Sequence, residues 1–293
     1  MSATLSSNVE ARVRVSQTRR LHPDRLLVHL ILLFWCLISI FPLLWMMGVS
    51  LKPVTEPIGG LGSMIPQRVT LTNFERVSTL MPLARNTLNS LIVATFGTLT
   101  TVFLCALGGF AFAKYNFPGK NFLFYLLIAT MLIPPEAGIV PTFMIMRGLG
   151  WINNYLSLIV PRAATAIGIF YMRQYISSFP NEVMEQARLD GCSEFRIFWN
   201  MVLPVVFPAL AAWATLAFIA RWNDFMYPLL FMTSKNMFTL MVAISKLPVS
   251  ESLSTPWPII MAGSVIAVFP LILIYLLMQR FQVSGLQLGA VKG

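Results

Sequence analysis

Four residues carry charge where charge is expensive. Glu136, Arg162, Arg221 and Asp224 all fall inside long apolar runs, and an unpaired charge at a bilayer centre costs about 2.5 to 3.5 kcal/mol or more. Groups of this kind pair with one another, relay ions, or line a water-filled passage. Covalent catalysis, by contrast, has no equipment. The only histidines are His22 and His29, near the amino end, and there is no G-x-x-x-x-G-K-[ST] phosphate loop and no Ser/His/Asp set. Cys36, Cys105 and Cys192 lie far apart without disulfide or metal-ligand spacing. No catalytic residue, no metal site and no cofactor held by this chain is expected.

A second constellation is polar. From Glu185 to Pro204 the sequence reads E-Q-A-R-L-D-G-C-S-E-F-R-I-F-W-N-M-V-L-P. Pro180 suits a first helical turn, Glu182 and Glu185 favour the positive end of a helix, and Asp190-Gly191 supplies a turn in which glycine tolerates positive φ. Ser193 is placed to cap a second short helix, on which Phe195, Phe198, Trp199 and Val202 recur as one apolar stripe until Pro204 closes it. Two short helices with acids on one and an apolar face on the other suit docking by a cytoplasmic protein. The same pattern also suits a helix lying on the lipid surface.

The elements that position these groups are membrane spans. Of 293 residues, 57% are hydrophobic and 11% charged, where a soluble domain carries about 25% charge. A bilayer core about 30 Å thick takes roughly 20 apolar residues as a helix, because lipid offers no partner to unpaired backbone groups. Six runs meet that test, at about 26–49, 87–113, 121–146, 155–172, 205–232 and 257–279. The expected fold is all-α and polytopic, with a segment 1–25, a membrane domain 26–279 whose polar loop spans about 178–204, and a tail 280–293. Residues 1–25 are too polar for a secretory signal, and the run that follows is too long for one and is expected to stay as the first span.

At 1.5 Å per residue, Glu136 lies roughly 22 Å along the third span and Asp224 roughly 28 Å along the fifth. Arg162 then sits near the outer end of the fourth, so two acids and two bases gather toward the outer half. Salt bridges that close or line an outer vestibule are expected, or else a permanent structural pair. Pro134, Pro135, Pro141 and Pro161 remove helix donors beside them, so a broken, pathway-lining helix is expected in the third span.

The formal net charge of +10 reflects loop topology, not nucleic-acid binding. Twelve Lys and Arg flank the spans on the side of the two termini and seven on the other, which puts both termini in the cytoplasm. The two longer outer loops, 50–86 and 233–256, are candidates for contact with an external partner. No internal repeat is visible, so an inverted-repeat carrier gains no support.

The 185–204 string resembles the EAA loop of binding-protein-dependent ABC importer permeases, with Glu185, Ala187, Asp190, Gly191, Leu203 and Pro204 in the pattern positions and Gln186 and Cys192 departing from it. Arg221-Trp222-Asn223-Asp224-Phe225 with Pro228, and the terminal Ser284 to Gly293, are similar to the sugar-import permeases, the group of the maltose transporter's smaller permease. The resemblance implies a type I importer permease in a bacterial inner membrane. It also implies a second permease subunit, two copies of a cytoplasmic ATPase that hold ATP and Mg, and an extracytoplasmic solute-binding protein. Glu185 would pair with a basic ATPase residue, and Gly289, Val291 and Lys292 would contact the ATPases. A self-sufficient ion-coupled carrier or channel, with the intramembrane charges as its ion site, is the competing reading.

Overall fold

The computed structural model describes residues 23–247 and 257–290, except the side chains of 23–26, 61, 63 and 280–290, and in that range it holds helices and turns with no strand. The chain divides into two units, Met1–Trp45 and Met46–Gly293. The first contributes most of α1 (Pro23–Ser50), whose side chains from Leu27 to Leu44 are exposed all round. A helix apolar on every face is one built for lipid.

In the second unit a short α2 (Thr72–Leu80) leads into the 32-residue α3 (Leu83–Lys114). There follow α4 (Lys120–Thr130), α5 (Ile139–Gly148), α6 (Leu156–Ile159) and α7 (Ala166–Ser177). Next come α8 (Asn181–Leu189), α9 (Glu194–Ile197) and α10 (Leu203–Val205), then α11 (Phe207–Trp222), α12 (Met226–Phe231), α13 (Leu240–Ser245) and α14 (Trp257–Ala290).

Three helices are long and apolar enough to cross a membrane unbroken: Leu27–Ser50, Leu83–Lys114 and Trp257–Gln279. Three bent pairs raise the count to as many as six if each is one span: Lys120–Thr130 with Pro135–Gly148 at 95°, Leu156–Arg162 with Ala166–Ser177 at 48°, and Glu194–Val205 with Phe207–Trp222 at 81°. The first two breaks fall at Pro134-Pro135 and just after Pro161, where donors are missing. The fifth run departs from expectation. It is not one helix over 205–232, because α11 stops at Trp222 and α12 restarts at Met226.

What lets the helices close up is a row of small side chains. Gly97, Thr101, Cys105 and Gly109 recur every fourth residue on α3 and all are buried. A Cβ on Gly109 would lie 2.7 Å from Met172 Cβ and 2.8 Å from Arg173 N, so α7 runs backbone to backbone along this row. Between helices in lipid, association rests on such close packing, since lipid tails are as apolar as leucine. α3 packs against α7 and α11, and α11 against α14.

The core has two parts. One gathers Val77, Phe218, Trp222, Phe231 and Leu240. The other gathers Cys105, Phe110, Met172 and Ile176 with Met184, Ala187, Ile197, Phe198 and Val202. The polar loop expected between the fourth and fifth spans therefore shares a core with the spans.

The described parts of the two loops expected to face outward pack on the helices. Asn86 Nδ2 on α3 donates to Lys235 O and Phe238 O, Asn89 Nδ2 to Asn236 O and Phe238 O, and Ser90 Oγ accepts from Leu240 N. Residues 233–247 thus lie pinned on α3 with α13 buried, and 248–256 lie outside the described residues. In the other loop, Asn73 Nδ2 bonds Ser50 O and Lys52 O while Lys52 and Glu56 pair at 2.7 Å.

Candidate coupling hairpin and buried charge node

The hairpin assembles as its residue types require. Glu182 lies in the first turn of α8 and Arg188 in the last, each matched to the helix dipole. Asp190 is the C-cap, and Gly191 takes φ 76°, a value costly for any side chain, while Cys192 N bonds Ala187 O at 2.9 Å. Ser193 Oγ accepts from Arg196 N at 3.4 Å and starts α9.

Met184 and Ala187 face inward, and Glu182, Val183, Glu185, Gln186 and Leu189 face outward, Leu189 being 82% exposed. The expected single stripe on the second helix splits. Phe198 and Val202 are buried, whereas Phe195 and Trp199 are exposed and stack on each other at 6.1 Å. Ile197, Phe198 and Val202 take the inward side, Phe195 and Trp199, one turn apart, share the outward side, and the π-helical turn Phe198–Val202 widens the helix only from there on. Leu203 is half-buried, and Pro204 is exposed just before the 81° bend.

Contacts with no sequence signal hold this hairpin to α3. Lys114 Nζ donates to Ser177 O at 3.3 Å, Phe179 O at 2.5 Å and Asn181 Oδ1 at 2.9 Å. The Tyr115 hydroxyl donates to the Glu194 carboxylate. That carboxylate also receives Arg188 Nε at 2.6 Å and Nη2 at 3.2 Å. Burial, and after it the bond to Glu194, pushes the Tyr115 hydroxyl up to about 12, so it stays a donor at any ordinary pH.

A charge node lies elsewhere on α3. Arg162 Nη2 meets Asp224 Oδ2 at 2.5 Å, and the Arg162 guanidinium sits 4.6 Å over the Tyr227 ring. Arg221, buried, donates through Nη2 to Thr101 Oγ1 at 2.5 Å and Arg162 O at 2.6 Å, and Thr101 Oγ1 donates to Arg162 O at 2.8 Å. A Cβ on Gly97 would collide with the Arg221 side chain. The node ties α3, the 3-10 turn Val160–Arg162, α11 and the turn before α12 into one joint. Its acceptors are used internally, and only the Arg162 side chain, 27% exposed, has an open edge.

Glu136 does not join it. It stands exposed in the 3-10 turn Pro135–Gly138 at the 95° break, and its carboxylate makes no hydrogen bond or ion pair among the described residues. At the carboxyl end, α14 does not stop at 279 but continues to Ala290. Gly289 therefore lies in that helix, while Val291 and Lys292 lie outside the described residues. Gly97 and Thr101 were missed as parts of the site, although the four-residue recurrence of small side chains was their signal.

With this geometry in hand, likeness to known proteins becomes informative. A family model described as binding-protein-dependent transport system inner membrane component matches residues 105–287, from the last third of α3 almost to the end of α14. The arabinooligosaccharides transport system permease protein of Halalkalibacterium halodurans is 34% identical, over 89% of this chain and 94% of the relative. The trehalose/maltose transport system permease protein of Thermococcus litoralis is 33% identical, over 92% of this chain and 97% of the relative. The sn-glycerol-3-phosphate transport system permease protein of Brucella abortus is 31% identical, over 90% and 96%. In a crystal structure of a bacterial ABC transporter involved in the import of the acidic polysaccharide alginate, one chain matches with a TM-score of 0.77 over 88% of this chain and 97% of that one. Its identity of 24% makes that a likeness of fold.

Proposed function

Because the chain belongs to the family of inner membrane components of binding-protein-dependent transport systems, we propose that it is one of two permease subunits of a bacterial ATP-driven importer for a sugar or sugar-like solute. The hairpin faces the cytoplasm, as the twelve-to-seven bias of basic residues favours. Its outward face, with Glu185 and Leu189, seats in a cleft of an ATPase subunit, where Glu185 meets a basic residue. ATP and Mg bind to a pair of those subunits, and residues from Gly289 onward reach them. A solute-binding protein delivers solute from outside.

One observation carries this reading: the hairpin shares its inward face with the core of the spans and leaves its outward face bare. Movement imposed on the bare face is therefore imposed on α3 and α7 as well. ATP, by binding best to the closed ATPase dimer, biases the spans toward the outward-open state. Glu136 faces the water-filled path between the two permeases, since lipid tolerates neither its charge nor the broken backbone around it. The named relatives support a polyhydroxylated solute, their own systems being for arabino-oligosaccharides, trehalose and maltose, and sn-glycerol 3-phosphate.

Proteoliposomes holding the whole complex test this with those four solutes in labelled form. Glu185→Lys is expected to insert normally and to abolish ATP-driven uptake, and full uptake by that variant would sink the assignment. Uptake by the chain alone, without ATP, would instead establish the carrier.

A further inference from the structure

We propose that Lys114, Tyr115 and Glu194 are positioning residues of the coupling step, locking the hairpin to the end of α3 so that displacement of α8 is delivered to that helix. This rests on the permease reading above. None of the three occupies a position of the matched loop pattern.

A hairpin joined only through Gly191, at φ 76°, would flex about the one residue that tolerates that backbone. The Glu194 carboxylate bridges that turn. It takes two donors from Arg188 on one side of Gly191 while standing in the first turn of α9 on the other. The Tyr115 hydroxyl is its third donor and comes from the residue that caps α3. One carboxylate thus fixes α3, α8 and α9 together.

Lys114 fixes the other end of α8. Its ammonium holds the Ser177 carbonyl at the end of α7, the Phe179 carbonyl in the α7–α8 link and the Asn181 side chain at the start of α8, a cation on carbonyls of the kind that suits the carboxyl end of α7. Beyond these two polar ties the Phe110 ring of α3 lies 5.1 Å from Phe198 and 5.3 Å from Tyr115. The hairpin is held at its start, beside its turn and along its second arm by the end of α3, and that helix carries Thr101 and Gly97 of the charge node.

The Arg188 and Glu194 side chains are 38% and 45% exposed, and an exposed pair contributes little to folding. Disrupting the clamp should therefore loosen the hairpin without unfolding the chain. In a background with Cys36, Cys105 and Cys192 changed to serine, nitroxides are placed at Gln186→Cys on α8 and Leu107→Cys on α3, and their separation is measured with the chain in its complex. The parent is expected to give one narrow distance. Tyr115→Phe combined with Lys114→Gln should broaden it and lower ATP hydrolysis by the complex about tenfold, the scale of a broken local network, while the subunits still co-purify.

Arg188→Glu should do the same, whereas Arg188→Lys, which keeps a cationic donor for the Glu194 carboxylate and leaves Tyr115 its acceptor, should keep both readouts near the parent. An unchanged distance and unchanged hydrolysis in the disrupted variants overturns the proposal. So does an equal loss in Arg188→Lys, which would mark general damage. If the parent complex hydrolyses no ATP, the importer reading fails instead, and the two-label distance in the isolated chain still decides whether the clamp holds.

Discussion

Asp224 supplies the one carboxylate of a node that contains two arginines, and it bonds Arg162 with only 10% of its side chain exposed. Removing one partner of such a pair strands a cation and costs about 3 to 5 kcal/mol, whereas removing both is often neutral. Asp224→Asn is therefore expected to lower the melting temperature in detergent sharply, and Arg162→Gln with Asp224→Asn to recover most of the loss. Equal losses in the single and double variants would show that the charges do not act as a pair. The sequence announced that these residues needed partners, because charge in an apolar run is costly whatever the fold. It did not announce which partners, since Arg162 and Asp224 lie 62 residues apart. Glu136 carries the same signal but sits on a 3-10 turn that points it away. Gly191 was legible because one residue type serves there. Tyr115 was not, because its acceptor is 79 residues away and nothing local marks it.

At the level of elements, apolar length revealed six runs and proline revealed two of their breaks. Length and composition cannot register a helix that ends on a side-chain interaction. α11 stops where Asp224 turns inward to Arg162 and accepts Tyr227 N at 3.4 Å, and Pro228, with no donor for the Asp224 carbonyl four residues back, keeps the fifth run broken there. The aromatic stripe split because apolar residues stand on both sides of this short helix, Phe195 and Trp199 outward and Ile197, Phe198 and Val202 inward, and spacing alone does not say which side meets the core. The close contact of α3 with α7 was readable in principle from the four-residue recurrence of small side chains. Gly109→Ala puts a methyl against backbone, at 2.8 Å from Arg173 N, and should cost about 1 to 3 kcal/mol as overpacking does. Gly108→Ala meets no backbone, only the Ile169 side chain, with Cγ1 at 3.2 Å and Cδ1 at 3.3 Å, and should cost less than Gly109→Ala, about 1 kcal/mol or below. Thermal unfolding of both in detergent checks the contrast, and similar melting temperatures would mean the α3–α7 contact is looser than drawn.

For the whole molecule, direction in the membrane decides whether any of this can work. The tally of basic residues gives a direction only if the crossings are counted correctly, and the 95° pair would make the count five were it a re-entrant loop. α3 supplies a measure that does not depend on the count. At 1.5 Å per residue its 32 residues extend about 48 Å, enough to cross once, and its two ends carry different freight. Lys114 holds the hairpin, while Asn86 and Asn89 hold the segment Lys235 to Phe238. The hairpin and that segment must therefore lie on opposite sides of the bilayer, whatever α4 and α5 do between them. Single cysteines at Leu189 and Lys235, both exposed, report this in a cysteine-free chain treated with a membrane-impermeant maleimide. Leu189→Cys should react in inside-out vesicles alone and Lys235→Cys in right-side-out vesicles alone. Labelling of both from one side would contradict the single crossing of α3, and the reverse pattern would put the hairpin where no cytoplasmic ATPase can reach it.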